Sequence, residues 1–459
     1  MVFLKKYSSV LAVTFSVILY FFFAHFLDRT HFYTLCFLWF SLFGCFYVLI
    51  KNKKTSFKTL VAIAVLFRLL FLFSIPNLSQ DFYRFIWDGR MLLNGLNPYL
   101  SLPETFIQQN LKPVAEASVL YDGMGKLNGS HYTNYPPLNQ LCFFIAALFA
   151  QKNILGAVIV LRILIILADL GILYFGKKLL EKLNLPIKNI FWYILNPFII
   201  IEMTGNLHFE PVMLFFLVWG LYQLHLQKWI FAGILIAFSV SVKLIPLLFL
   251  PLFYQYFNQH KSSKKWLPTF KGIKNLSLFY VIIIGTTLLL FLPFYSQELI
   301  ANYANSVGLW FRNFEFNASF YYIFREIGYW FRGYNEIAII GKISPILTIL
   351  FLIFLTFFRK NITTISVITA MLFGLCFYYF TATTVHPWYL ATPLILSVFT
   401  KYKFPLVWSL VIILSYQAYA NNPWKENLAF VFLEYILLFS FLGYEIYANY
   451  SLNKIQKKL

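Results

Sequence analysis

Apolar runs long enough to cross a bilayer recur along the chain, from Tyr7 to Leu27 near its start to Leu428 to Ala448 near its end. A backbone inside hydrocarbon has no water to bond, so each run must close its own hydrogen bonds as a helix. With 60% hydrophobic and only 12% charged residues, the chain is expected to be an all-α polytopic membrane protein rather than a soluble domain. Met1 to Lys6 resembles the basic start of a signal peptide. The run that follows lacks a small-residue cleavage site and is long enough to span, so it is expected to stay as an anchor.

The net charge of +20 would point to nucleic acid in a soluble protein. Here the lysines gather in short loops, as expected beside anionic lipid on a cytoplasmic face, and nucleic acid is not an expected partner. Cys36, Cys45, Cys142 and Cys376 lie scattered in apolar segments without metal-ligand spacing and read as packing residues.

Basic residues also set the topology. Loops at about 51–58, 177–189 and 258–275, the last with Lys261, Lys264, Lys265, Lys271 and Lys274, mark the cytoplasm. Alternation between them works if Pro136 to Ala150 is an external or re-entrant helix rather than a crossing. The external segments are then about 76–153, 205–210 and 294–336, and the count is about fourteen spans with both termini inside. No soluble domain or repeat interrupts the single membrane unit over 1–459.

In this apolar background, Ser79-Gln-Asp-Phe-Tyr-Arg-Phe-Ile-Trp-Asp-Gly-Arg90 crowds two acids and two arginines together. If helical, it carries Asp81, Arg84 and Asp88 on one face and leaves Phe82, Phe85 and Ile86 on faces that can rest on lipid. One reading is a ridge that meets a polar ligand, and the other is Arg84 pairing with its acids to hold the loop. Lys243 interrupts an apolar run and must either snorkel or meet an anion. His208 and His386 lie in external turns, the second followed by Pro387, Trp388 and Tyr389, and stacking aromatics suit sugars and prenyl chains. Arg68, Arg162 and Asp169 fall inside spans and are expected to find internal partners. A metal held by Asp81, His208 and Glu210 has no ligand spacing behind it, so no metal or other cofactor is expected.

These pieces form an ordered set. Asp81 to Arg90, Gly95-x-Asn-Pro-Tyr99, Tyr135-Pro-Pro-Leu138, Arg162 through Asp169, Asn196-Pro197 through Gly205-Asn-x-His208, Lys243-x-x-Pro246 and His386-Pro-Trp-Tyr389 together resemble the bacterial GT-C mannosyltransferases. The resemblance runs from about Leu60 to about Thr400. It implies a GT-C-like helix bundle with a large external first catalytic loop. It also implies an inverting glycosyltransferase of the bacterial cytoplasmic membrane, acting on the periplasmic or external face. The donor would be a polyprenyl-phosphate hexose, mannose by resemblance, and the acceptor a hydroxyl of a lipid or glycan. Asp81 matches the family's catalytic base. Arg84, Asp88, Arg90, His208, Glu210, Lys243, His386, Trp388 and Tyr389 are the expected substrate-binding residues. The family often has Asp where this chain has Glu210, one methylene longer. The rival readings are a lipid-linked glycan transporter, which would show duplicated halves, and a non-catalytic glycan-binding relative.

Overall fold

In a computed structural model, the chain is described over residues 2–258, 268–312 and 314–456. Among these the protein is helical, without a strand; Phe316 and Thr384 form an isolated bridge. Lys261, Lys264 and Lys265 lie outside the described residues.

Seven helices are long and apolar enough to cross a membrane, or eight if a bent pair counts as one span. That pair, Ile199–Gly205 and Glu210–His225, turns by 112°. Five further apolar helices are only 10–17 residues long. The expectation of about fourteen full spans is therefore not met by helix length. The runs read as spans at Ile190 to Thr204 and Leu244 to Phe257 are broken instead into short 3-10, π and α segments. Such backbone is tolerated at membrane depth only where protein or a cavity surrounds it. Ile199 to Gly205 is indeed wholly buried.

The first four helices are α1 (Val2–Phe26), α2 (Phe32–Lys51), α3 (Phe57–Leu69) and α4 (Asp81–Leu93). Lipid contact by α4 is contradicted, since Phe82, Phe85 and Ile86 are each at most 2% exposed. The helix packs against Pro137–Ala150 and Ala117–Gly129. Gly89 permits this approach, because a Cβ there would stand 2.1 Å from the Phe143 carbonyl oxygen. Phe85 stacks on Phe143 at 4.6 Å, and Phe209 meets both rings edge-on. The Asp122-Gly-Met-Gly125 stretch lies within the helix Ala117–Gly129, kinked at Gly125 with φ 75°.

Charges inside the bundle hold backbone in place. Arg162 donates to the carbonyls of Leu72, Ser74, Thr204 and Gly205 at 2.8 to 3.0 Å. It thereby clamps the approach to α4 onto the 112° bend. Arg68 pairs with Asp169 at 2.8 Å and also donates to the Ile194 carbonyl. The expected internal partners of these three residues are thus Asp169 for Arg68 and carbonyl oxygens for Arg162.

Candidate functional site

A cavity of about 550 Å³ opens between these elements, within the usual size of ligand sites. Its wall comes from segments far apart in sequence: the loop after α1, the head of α4, residues 127–136, the 112° bend, Lys243 and the stretch 382–389. Of the expected site residues, Asp81, Arg84, His208, Lys243, His386, Trp388 and Tyr389 line it together.

The motifs brace one another. The Tyr99 hydroxyl donates to the Tyr135 carbonyl at 2.6 Å, tying the Asn-Pro-Tyr turn to the Tyr-Pro-Pro-Leu segment. The first backbone N–H groups of the Pro137–Ala150 helix, from Leu138 and Asn139, donate to the Ser241 carbonyl. This caps free helix donors and fixes the chain two residues before Lys243. Leu78 donates to the Asn206 side chain at 3.1 Å, joining the head of α4 to the bend.

Asp81 sits in the first turn of α4, and its Oδ1 accepts from the Asn128 amide at 3.2 Å. Its Oδ2 receives no hydrogen bond from a described residue. Burial raises its pKa above the ordinary carboxylate value, opposed by the Asn128 bond and the Lys243 charge. Lys243 donates to Glu210. Glu210 is itself 2% exposed and sits behind the lysine rather than on the cavity wall. The snorkelling reading of Lys243 gives way to a paired ammonium beside the cavity.

Trp388 stacks on both His208, at 4.0 Å and 18°, and His386, at 4.5 Å and 4°. The two histidine motifs thus meet through one indole. Burial, and after it Lys243, pushes the His386 imidazole down to about 3, so it is neutral in ordinary buffers.

Of the expected binding set, Asp88, Arg90 and Glu210 lie off the cavity wall. Asp88 is fully buried, with one oxygen on Arg84 at 2.8 Å and the other on Gln140 at 3.0 Å. Arg90 is turned to the Ala115 carbonyl and Glu116. Arg84 reaches the wall, yet it also donates to the Asn128 and His131 carbonyls. The reading of Arg84 as a brace therefore describes its bonds.

Sequence reading missed four contributors. Arg29 and Asn139 line the cavity, Asn128 bonds Asp81, and buried Glu202 lies 3.7 Å from His208 while accepting from Tyr416 at 2.6 Å. Only Glu202 gave a signal, as an acid inside an apolar run. Among the described residues no group of three or more His, Cys, Asp and Glu side chains converges as a metal site.

The architecture defines the class: a helical protein of the membrane whose irregular helices enclose a polar and aromatic ligand cavity. A family model, described as alpha-(1->6)-mannopyranosyltransferase, N-terminal domain, matches residues 13–257, more than half of the chain, and the chain belongs to that family. The match takes in Asp81, His208, Glu210 and Lys243, while His386 to Tyr389 lie beyond it. The chain is also similar to alpha-(1->6)-mannopyranosyltransferase A of Mycobacterium tuberculosis (strain ATCC 25618 / H37Rv), at 25% identity over 219 residues. The matched region is 47% of this chain and 40% of that relative, less than half of either.

Proposed function

We propose that the protein is a glycosyltransferase that moves mannose, with inversion, from a polyprenyl-phosphate donor to a hydroxyl of a lipid or glycan acceptor. The observation that carries this is the Asp81 carboxylate, whose Oδ2 receives no hydrogen bond from a described residue, in a cavity shared with cations and stacked aromatics. A sugar on a lipid phosphate already has a good leaving group, so the protein must supply a base for the acceptor and cations for the phosphate. Asp81 takes the acceptor proton on Oδ2 as the acceptor oxygen bonds C1. The C1–O bond to phosphate breaks, and its electron pair stays on the phosphate oxygen. Its raised pKa makes the ionised Asp81 carboxylate a better base than an ordinary aspartate. Neutral His386, with His208, can donate to or accept from sugar hydroxyls beside the Trp388 and Tyr389 rings.

We place this cavity on the external face. The segments that charge alternation puts outside all contribute to it. Two loops assigned to the cytoplasm contact each other elsewhere: Lys188 donates to the Lys53 and Thr55 carbonyls. A cysteine at Gln108 is expected to react with a membrane-impermeant maleimide in intact cells after removal of the native cysteines, and one at Lys178 is not. The reverse pattern would move the chemistry to the cytoplasm. Purified protein is expected to release sugar from polyprenyl-phosphate-mannose in preference to the glucose and arabinose analogues. No turnover with any of them would end this reading.

A further inference from the structure

Three side chains with permanent positive charge line the cavity among the described residues, and the structure has committed two of them. Arg84 bonds Asp88 through Nε and the Asn128 and His131 carbonyls through Nη1. Lys243 is balanced by Glu210. Arg29 has no ion pair and no hydrogen bond from its side chain to a described residue; its Cζ stands 5.1 Å over the ring of Tyr419, which also lines the cavity. The neighbouring Asp28 is engaged elsewhere, its Oδ1 accepting from the Thr30 backbone and hydroxyl at 2.9 and 2.8 Å. The loop that carries Arg29 is also anchored. Asn77, four residues before Asp81, donates to the Phe23 and Leu27 carbonyls at 2.8 and 2.9 Å. Arg29 is therefore held beside the head of α4 with its donors unspent.

We infer that Arg29 is the residue that binds the phosphate of the lipid-linked substrate, and that Lys243, the sequence-based choice, chiefly neutralises Glu210. This rests on the reading of the cavity as a lipid-phosphate sugar site. The charge change of the reaction favours an unspent cation. A polyprenyl phosphodiester enters with one negative charge, and C1–O cleavage leaves a monoester that carries one more. A cation already paired with a carboxylate has less to offer that added charge than one whose neighbouring acid, Asp28, bonds Thr30 and makes no ion pair with it. A guanidinium also presents a planar fork suited to two phosphate oxygens, and the Tyr419 face orients it without consuming its donors.

The test uses purified full-length protein in nanodiscs of zwitterionic lipid, so that no anionic headgroup competes. Binding of polyprenyl monophosphate, the predicted product, is measured directly. Arg29→Met is expected to weaken it by about tenfold to a hundredfold, the usual range for a lost charge-assisted bond. Arg29→Lys should recover part of the loss, and Lys243→Met should cost less than Arg29→Met. Arg29→Met with wild-type affinity, or a larger loss in Lys243→Met, would overturn the assignment. If Arg29→Met does not fold, Arg29→Lys decides, and unchanged affinity there would also overturn it. Wild-type protein that binds the monophosphate but transfers no sugar would refute the proposed function and leave Arg29 standing. Wild-type protein that does not bind it would remove the Arg29 inference.

Discussion

The first turn of α4 and the two turns after it use the same kinds of residue and are treated in opposite ways by the fold. Downstream, Asp88 is enclosed, with both carboxylate oxygens bonded, and Arg84 and Arg90 have acids and carbonyls to themselves. At the head, Asp81 has one weak partner and an open oxygen on the cavity wall. Burying a charge is costly unless its bonds are made inside the protein, so Asp88 reads as frame. A charge beside a cavity with its bonding incomplete is instead set up to be completed by something that enters. The same contrast separates Arg84, paired with Asp88 and bonded to two carbonyls, from Arg29, stacked on a ring and without an ion pair to a described residue.

The largest effect that would test this contrast is on stability. Asp88→Asn leaves the Arg84 guanidinium buried without its counter-charge and should cost about 3–5 kcal/mol, seen as a lowered unfolding temperature in detergent and a poor yield. Any folded fraction should keep near-normal turnover. Asp88→Asn protein with full stability and lost turnover would put the chemistry on the wrong acid. The next effect is Asp81→Asn, which cannot take the acceptor proton. Turnover should fall roughly a hundredfold or more, about 2.7 kcal/mol of barrier, with donor affinity little changed. Its stability effect has the opposite sign to that of Asp88→Asn. Because the folded-state pKa of Asp81 is raised, its ionisation destabilises the fold progressively as pH rises from the ordinary carboxylate value through that raised value. An uncharged Asn should therefore leave stability at neutral pH unchanged or higher. Normal turnover in well-folded Asp81→Asn protein would return suspicion to the other acids near the cavity.

Much of this arrangement was legible in the sequence because membrane proteins keep so few polar residues. The order of motifs from Asp81 to Tyr389 pointed to one site, and the cavity gathers their key side chains from segments hundreds of residues apart. What could not be read is how each polar group spends its bonds. Lys243 looked like a lone cation because Glu210 is 33 residues away in sequence. Arg29 lies in the short link between two apolar runs, and nothing local reveals that Tyr419 lies beneath it. Helix length gives fewer than fourteen spans for a related reason. Periodicity marks apolar runs without showing that Ile199 to Gly205 winds as a π-helix and breaks at 112°, or that helices of 10–17 residues are packed within the bundle. Those breaks are what set His208 on the cavity wall and Asn206 against the Leu78 backbone, so the least legible backbone carries part of the site.

The smallest effect is also the sharpest probe of Asp81. Asn128 donates to its Oδ1 at 3.2 Å and so favours the ionised form, against the burial that favours the protonated one. Replacing Asn128 with Leu removes that donor and keeps the backbone carbonyl that accepts from Arg84. The pKa of Asp81 should then rise further, because the bond that favours its charged form is lost. A base works only when ionised, so turnover is lost as pH falls through its pKa. The acid limb of the pH–turnover profile should therefore move to higher pH in Asn128→Leu, with the plateau above it little changed. The same limb should stay in place in Asp88→Asn, whose acid is remote from the acceptor. An acid limb that ignores Asn128 but shifts with Asp88 would mean that the titrating base is the enclosed carboxylate, and the division of α4 into an open head and a closed frame would have to be reversed.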